Sequence, residues 1–329
     1  MPCAKTSHAV FGGNLQHERT KLFPMDVKQK ASLFAVLSAS VLAASKFIVG
    51  LMSGSMAVVS SGLDSLLDVF MSVMNLFAIR KAAKPADVDH HYGHGKVEDL
   101  AAVGQSIVII LSGVIIIYRA VDAFLEGQTI TYSYFDLPVM CFSLGISLAV
   151  SMVLKRVGRR TGSHALQADA LHYLSDLYSN SGAILAIILT FYTGRSLFDL
   201  VFAVIIGLII VFSALKILKG GVSGLMDASI PGQIEKEIEA VLENKPYPFA
   251  GYHKMRTRFS GSRKYVDFHL LLCRKLTIDE AHQLANDVEH EIKSKVASID
   301  IVVHVEPCEH ACELTEPTCE VLRLRAARR

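Results

Sequence analysis

Apolar and polar positions divide this chain into two regimes. From Ala31 to Ile79 the only acids or bases are Lys46, Asp64 and Asp68, and the stretches 100–118, 137–154, 177–194 and 200–215 contain none. Crossing about 30 Å of hydrocarbon takes roughly 20 helical residues. Each of the four stretches, with its flanks, therefore predicts one crossing, and residues 31–79 predict two around the break Ser53-Gly54-Ser55. Between Pro231 and Glu306 the pattern changes to 12 acidic and 11 basic residues, the density of a water-exposed domain. A helix is expected over 233–242. Alternating runs over 252–259 and 264–272 flank a turn at Ser260-Gly261-Ser262 and predict a hairpin. A second helix begins at Thr277, with Glu280 in capping-box spacing, and a last strand covers 300–305. The expected architecture is an all-α six-helix transmembrane bundle followed by a small α+β domain of order α-β-β-α-β. The expected divisions are an N-terminal arm at 1–30, the bundle at 31–220, the α+β domain at 221–307 and a disordered, Cys-containing tail at 308–329.

Composition agrees with a bilayer as solvent. Only 19% of the 329 residues are charged and 51% are hydrophobic. The net charge of +2 excludes a nucleic-acid partner recruited by bulk positive charge. Six scattered Cys are too few for a disulfide scaffold. Lys and Arg favour one side: Lys5, Arg19, Lys21, Lys28 and Lys30 in the arm, Arg80, Lys81, Lys84 and Lys96 after the second helix, and Lys155, Arg156, Arg159 and Arg160 after the fourth. The other side has Arg119 and Arg195. Basic loops stay inside, so both termini and the α+β domain are expected in the cytoplasm. The polar first 26 residues predict no signal peptide.

The informative residues are charges within the apolar half. Asp64 and Asp68 on the second helix, and His172 and Asp176 on the fifth, are each spaced i,i+4 and share a helix face. An Asp at a helix centre costs about 2.5–3.5 kcal/mol, so three facing lipid would cost on the order of 8–10 kcal/mol. Three carboxylates and one imidazole offer four ligands to a divalent cation, and tetrahedral N/O coordination suits zinc. Asp169, one turn before His172, reads as a solvated first-turn acid favoured by the helix dipole, with a metal role as the alternative.

Further clusters lie outside the bilayer. The loop Asp87-Val88-Asp89-His90-His91-Tyr92-Gly93-His94 can fold round a metal or simply be solvated. In the α+β domain, His253, His269, His282, His304 and Glu306 fall on packed elements, the last two on one face of a strand. His290 reads as surface. The tail's Cys308, His310 and Cys312 can hold a soft metal, but they lack the paired spacing of a zinc knuckle, and a redox-silent tail is the favoured reading. Cys141 reads as a packing residue. Neither a phosphate loop nor a metalloprotease motif occurs, so nucleotide-driven and enzymatic readings are disfavoured.

Three segments resemble the cation diffusion facilitator (cation efflux) family, its bacterial zinc and iron branch in particular: Ser61 to Asp68, the loop Pro85 to Lys96, and Ala168 to Asp176. The likeness covers about residues 30–307. It implies a homodimeric, proton-coupled exporter with a metallochaperone-like cytoplasmic domain, in a bacterial inner membrane. The transport site then maps onto Asp64, Asp68, His172 and Asp176, and a loop site onto Asp87, His90 and His94. Cytoplasmic sites map onto His253, His269, His282 and His304, with Glu306 where the family usually has Asp. It also implies an interlock between Lys96 and Asp227 that holds the membrane parts of the dimer together. His at position 172 resembles zinc-type sites; iron(II), cadmium and cobalt(II) accept the same ligands. A metal sensor or scaffold that transports nothing is the competing reading.

Overall fold

The computed structural model describes residues 26–53, 56–126, 136–193, 197–243 and 249–308. Six long helices come first: α1 (Val27–Ser53), α2 (Met56–Ala82), α3 (Lys96–Leu125), α4 (Asp136–Thr161), α5 (His164–Thr193) and α6 (Leu197–Leu225). At a rise of about 1.5 Å per residue, all exceed the roughly 30 Å of hydrocarbon, so their ends reach water. Basic residues occupy this surplus, with Arg80 and Lys81 in the last turn of α2 and Arg159 and Arg160 in that of α4. The basic loop expected after the fourth helix is therefore helical through Thr161, and only Gly162 and Ser163 separate α4 from α5. Lys28 and Lys30 likewise belong to α1 rather than to the arm. Residues 1–25 of the arm, Gly54 and Ser55 of the expected break, and the tail beyond Cys308, including His310 and Cys312, lie outside the described residues.

Among the described residues, four segments are long and apolar enough to cross a membrane: Val27–Met52, Lys96–Leu125, Cys141–Thr161 and Leu200–Leu225. Helices α2 and α5 match them in length but carry the acids and histidine that lower their apolarity. Ala35, Ile79, Leu154, Leu166 and Tyr173 form a core shared by α1, α2, α4 and α5. Ile109, Leu171, Ile210 and Ala214 join α3, α5 and α6. Helices α3 and α6 approach closely because Gly207 has no side chain: a Cβ there would lie 2.5 Å from Ile117 Cγ1. Leu37, Leu67, Phe70, Phe77, Leu111 and Phe212 point outward, as lipid-facing residues do. Cys141 also faces outward on α4 rather than packing within the chain, because it falls on the helix face turned from the core.

The second part contains α7 (Gly232–Glu243), β1 (Phe249–Ser260), β2 (Arg263–Leu272), α8 (Ile278–Lys295) and β3 (Ile299–Pro307). The sheet order is β1-β2-β3, with β1 and β2 antiparallel and β2 and β3 parallel. A parallel pair needs a crossover, and α8 provides it. Both arms of the capping box form: the Thr277 side chain accepts from the Glu280 amide, and the Glu280 carboxylate accepts from the Thr277 amide. Val266, Phe268, Leu270 and Leu272 of β2 face a core closed by Ile238 and Leu242 of α7 and Val288 and Ile292 of α8. Strand alternation then turns Asp267 and His269 to the opposite, open face.

Candidate metal centre

Helices α2 and α5 bring Asp68, His172 and Asp176 together, with one ligand atom from each within 4.8 Å of the others. His172 Nε2 lies 2.8 Å from Asp68 Oδ1. The edge of the imidazole packs on Tyr173, with ring centroids 5.8 Å apart. One nitrogen and two carboxylates, all half-buried, leave a coordination position open. Such a donor set fits a divalent cation.

Asp169 is a correction. It is 0% exposed, not solvated. Its Oδ1 accepts from Gln105 Nε2 at 3.2 Å and from Ser72 Oγ at 3.4 Å, and its Oδ2 has no partner. Tyr173 donates to the Ala35 carbonyl at 3.2 Å, and Asn75 Nδ2 donates to the Ala165 carbonyl at 3.2 Å. This polar seam binds α1, α2, α3 and α5 beside the cluster. Ser163 caps α5, its hydroxyl accepting from the Leu166 amide at 3.2 Å, so the helix extends one turn further back than a first-turn Asp169 requires.

The loop between α2 and α3 gathers Asp87, His90 and His94. Asp87 Oδ1 accepts from the amides of Asp89 and His90 at 3.2 and 2.8 Å, closing a tight turn. Asp87 Oδ2 lies 3.3 Å from Nε2 of His94, whose Nδ1 is buried without a partner. Partial desolvation pushes the Asp87 carboxyl up, but the His90 amide and ring, the Asp89 amide and the His94 charge outweigh it and hold the group below the usual carboxylate range. Asp89 and His91 stay outside the cluster and exposed.

On the open face of the sheet, register sets His253 of β1 opposite His269 of β2, and His269 beside His304 of β3. Glu306 links the row: Oε1 lies 2.7 Å from His269 Nδ1, and Oε2 lies 2.8 Å from His253 Nε2. The hydrogen bonds from His269 and then His253 hold its carboxyl below the usual range. His304 Nε2 is farther out, at 3.8 Å. Two imidazoles and a carboxylate already converging form a donor set that fits a divalent metal.

Residues 32–226 match the cation efflux transmembrane domain, and residues 230–308 match the cation efflux protein cytoplasmic domain. The chain belongs to the cation efflux family. It is a membrane transporter, not an enzyme. The cation-efflux pump FieF of Pectobacterium atrosepticum is 35% identical over 277 residues, covering 84% of this chain and 92% of that protein. FieF of Escherichia coli K12 is 32% identical over 279 residues, covering 85% and 92%. The metal-bound C-terminal domain of the CzcD transporter from Thermotoga maritima is 26% identical, covering 24% of this chain and 92% of that one, with a TM-score of 0.23.

For this cation efflux protein, the structure does not gather every residue expected at the sites. Asp64 is exposed one turn along α2 and stays outside the Asp68 group. His282 is exposed on α8, 3.1 Å from Asn286 and outside the sheet cluster. Lys96 and Asp227 do pair, at 3.1 Å, but within one chain. Arg258 of β1 completes that interlock, 3.0 Å from Asp227 and stacked 4.5 Å from the rings of both Tyr92 and Tyr265. The sequence pattern singles out neither Arg258 nor Glu98, Asp99 and His164, and marks Lys28 only as one of the basic residues near the first helix. The single hint was two adjacent acids one residue beyond Gly93-His94-Gly95-Lys96, where first-turn acids are ordinary.

Proposed function

We propose that this chain is a homodimeric exporter that moves divalent metal cations, zinc foremost, out of a bacterial cytoplasm across the inner membrane in exchange for protons. The observation that carries this is the convergence of Asp68, His172 and Asp176 from two membrane-length helices. Zinc accepts these donors in tetrahedral geometry; iron(II), cadmium and cobalt(II) compete through the same ligands. The relatives are cation-efflux pumps, which supports the direction. Proton coupling follows from the ligands: carboxylate and imidazole bind metal in their unprotonated forms, so metal and protons displace one another. Asp64 is the fourth donor in this reading, joining when α2 shifts against α5. The loop group Asp87, His90 and His94 is an entry site, and the sheet group of His253, His269, His304 and Glu306 senses cytosolic metal. Both termini and the α+β domain face the cytoplasm, and the Lys96–Asp227 interlock steadies each protomer at the dimer seam.

The test is zinc uptake by proteoliposomes under an imposed pH gradient, with internal pH recorded. Uptake that scales with the gradient and moves protons the other way is expected, and is lost in Asp68→Ala and His172→Ala. Zinc flux retained in both variants would overturn the site, and metal binding without uptake would identify a sensor.

A further inference from the structure

The tip of the β1–β2 hairpin is inserted among the cytoplasmic ends of the membrane helices. Glu98 and Asp99, in the first turn of α3, are 1% and 0% exposed. A buried carboxylate is costly unless paired and hydrogen-bonded. Glu98 meets Lys28 of α1 at 3.1 Å, and the same ammonium donates to Ser262 Oγ of the hairpin at 2.8 Å. Asp99 uses both oxygens: Oδ2 accepts from the Gly261 amide at 2.7 Å, and Oδ1 lies 2.9 Å from Nδ1 of His164, the first residue of α5. The His164 ring also packs edge-on against Phe259 of β1, with centroids 5.6 Å apart.

The seat is shaped for this contact. Gly261 adopts φ +57°, and a Cβ there would lie 2.7 Å from the Gly95 carbonyl oxygen. A Cβ on Gly224 of α6 would lie 2.6 Å from the Asp99 carboxyl. On one side the hairpin borders a polar cleft of about 380 Å³ lined by Lys28, Glu98, Ser260 and Arg263. The tip is therefore held by a few buried bonds with open space beside it.

Each partner of Asp99 is one end of a stiff element. His164 begins the helix that carries His172 and Asp176, eight and twelve residues on, or about 12 and 18 Å at 1.5 Å per residue. Gly261 ends the hairpin whose strands carry His253 and His269, eight residues to either side, or roughly 26 Å at about 3.3 Å per residue. We propose that Asp99 is a positioning residue of the transport cycle: it links the hairpin tip to the first turn of α5, so that the sheet cluster and the membrane cluster are opposite ends of one mechanical linkage. This rests on the export reading above and names the path by which the sensing group acts.

The experiment uses the full-length protein in proteoliposomes with zinc. In Asp99→Asn, the zinc concentration for half-maximal flux rises by roughly tenfold, an ordinary size for coupling between sites, and flux at saturating zinc falls by much less. His164→Gln shows the same split, while titration of the sheet cluster returns wild-type zinc affinity in both. In the wild-type chain, hydrogen exchange at the Gly261 amide and in the first turn of α5 changes together when zinc is added, and His269→Ala abolishes both responses. Wild-type zinc dependence in Asp99→Asn overturns the linkage. So does a zinc response at Gly261 with none in α5, a result that needs no variant to fold. Absence of zinc flux in the wild type overturns the export reading instead.

Discussion

The membrane cluster and the sheet cluster use nearly the same donors in different frames. In the sheet, backbone ladders fix His253, His269 and His304 abreast, and a slip of register would turn each side chain to the other face. The ladder thus sets the backbone spacing of the three residues. In the membrane, Asp68 belongs to α2 and His172 to α5, and side-chain packing with a few side-chain hydrogen bonds, not a backbone ladder, sets their relative height and rotation. A small shift of one helix against the other alters the coordination. In the proposed function, the first frame suits the group that senses metal and the second suits the group that must let it go.

Substitutions can break this contrast. The largest loss is expected for Asp68→Ala or His172→Ala, with zinc flux in proteoliposomes falling beyond the 10–100-fold that loss of a supporting partner alone costs a metal site, and the purified protein keeping its size and helicity. Asp64→Asn should be milder than Asp68→Asn in the same assay, because Asp64 contributes only after a shift; equal losses would mean that the four donors act together throughout. His269→Ala should move the zinc concentration for half-maximal flux by about tenfold and leave saturating flux nearly intact, while His282→Ala moves it less. Asp169→Ala removes the acceptor for Gln105 and Ser72 and should cost about 1–3 kcal/mol of stability, with Asp169→Asn recovering much of it in a thermal melt.

The smallest effect is at the interlock. Burial pushes the Asp227 carboxyl up slightly, but Arg258 and Lys96 outweigh this and hold it below the ordinary Asp value. A group depressed in the folded state stabilises above its unfolded pKa and loses that contribution as pH falls through the folded value. Asp227→Asn should therefore cost at most about 1 kcal/mol, as exposed pairs do, and only above the ordinary Asp range. A deficit that persists at lower pH would assign the effect to the geometry of the Arg258 and Lys96 hydrogen bonds rather than to charge, since Asn accepts the left-handed backbone at this position, φ +55°, as readily as Asp.

Much of this was legible in the sequence. Charges in apolar runs marked Asp68, His172 and Asp176, and alternation along β2 put His269 on the open face. Spacing within one helix shows a shared face but not the height of that face against a neighbour, and so it grouped Asp64 with Asp68. The position of His282 was lost for the same reason, since packing of Ala285, Val288 and Ile292 decides which way α8 turns. Helix lengths were underestimated because basic residues end the apolar run before they end the helix. The seating of Glu98 and Asp99 depends on contact with a turn more than 160 positions away, and no local pattern encodes such a meeting.

The two-residue connection between α4 and α5 carries a further consequence. It leaves little slack, so a slide of α5 along its axis pulls on α4, whose outer face includes exposed Phe142, Leu148 and Met152. In the proposed export cycle, each reorientation of the cation site then has to plough acyl chains aside. The turnover of this protein should follow the viscosity and thickness of the surrounding bilayer, even where the ion, the pH gradient and every ligand are held constant.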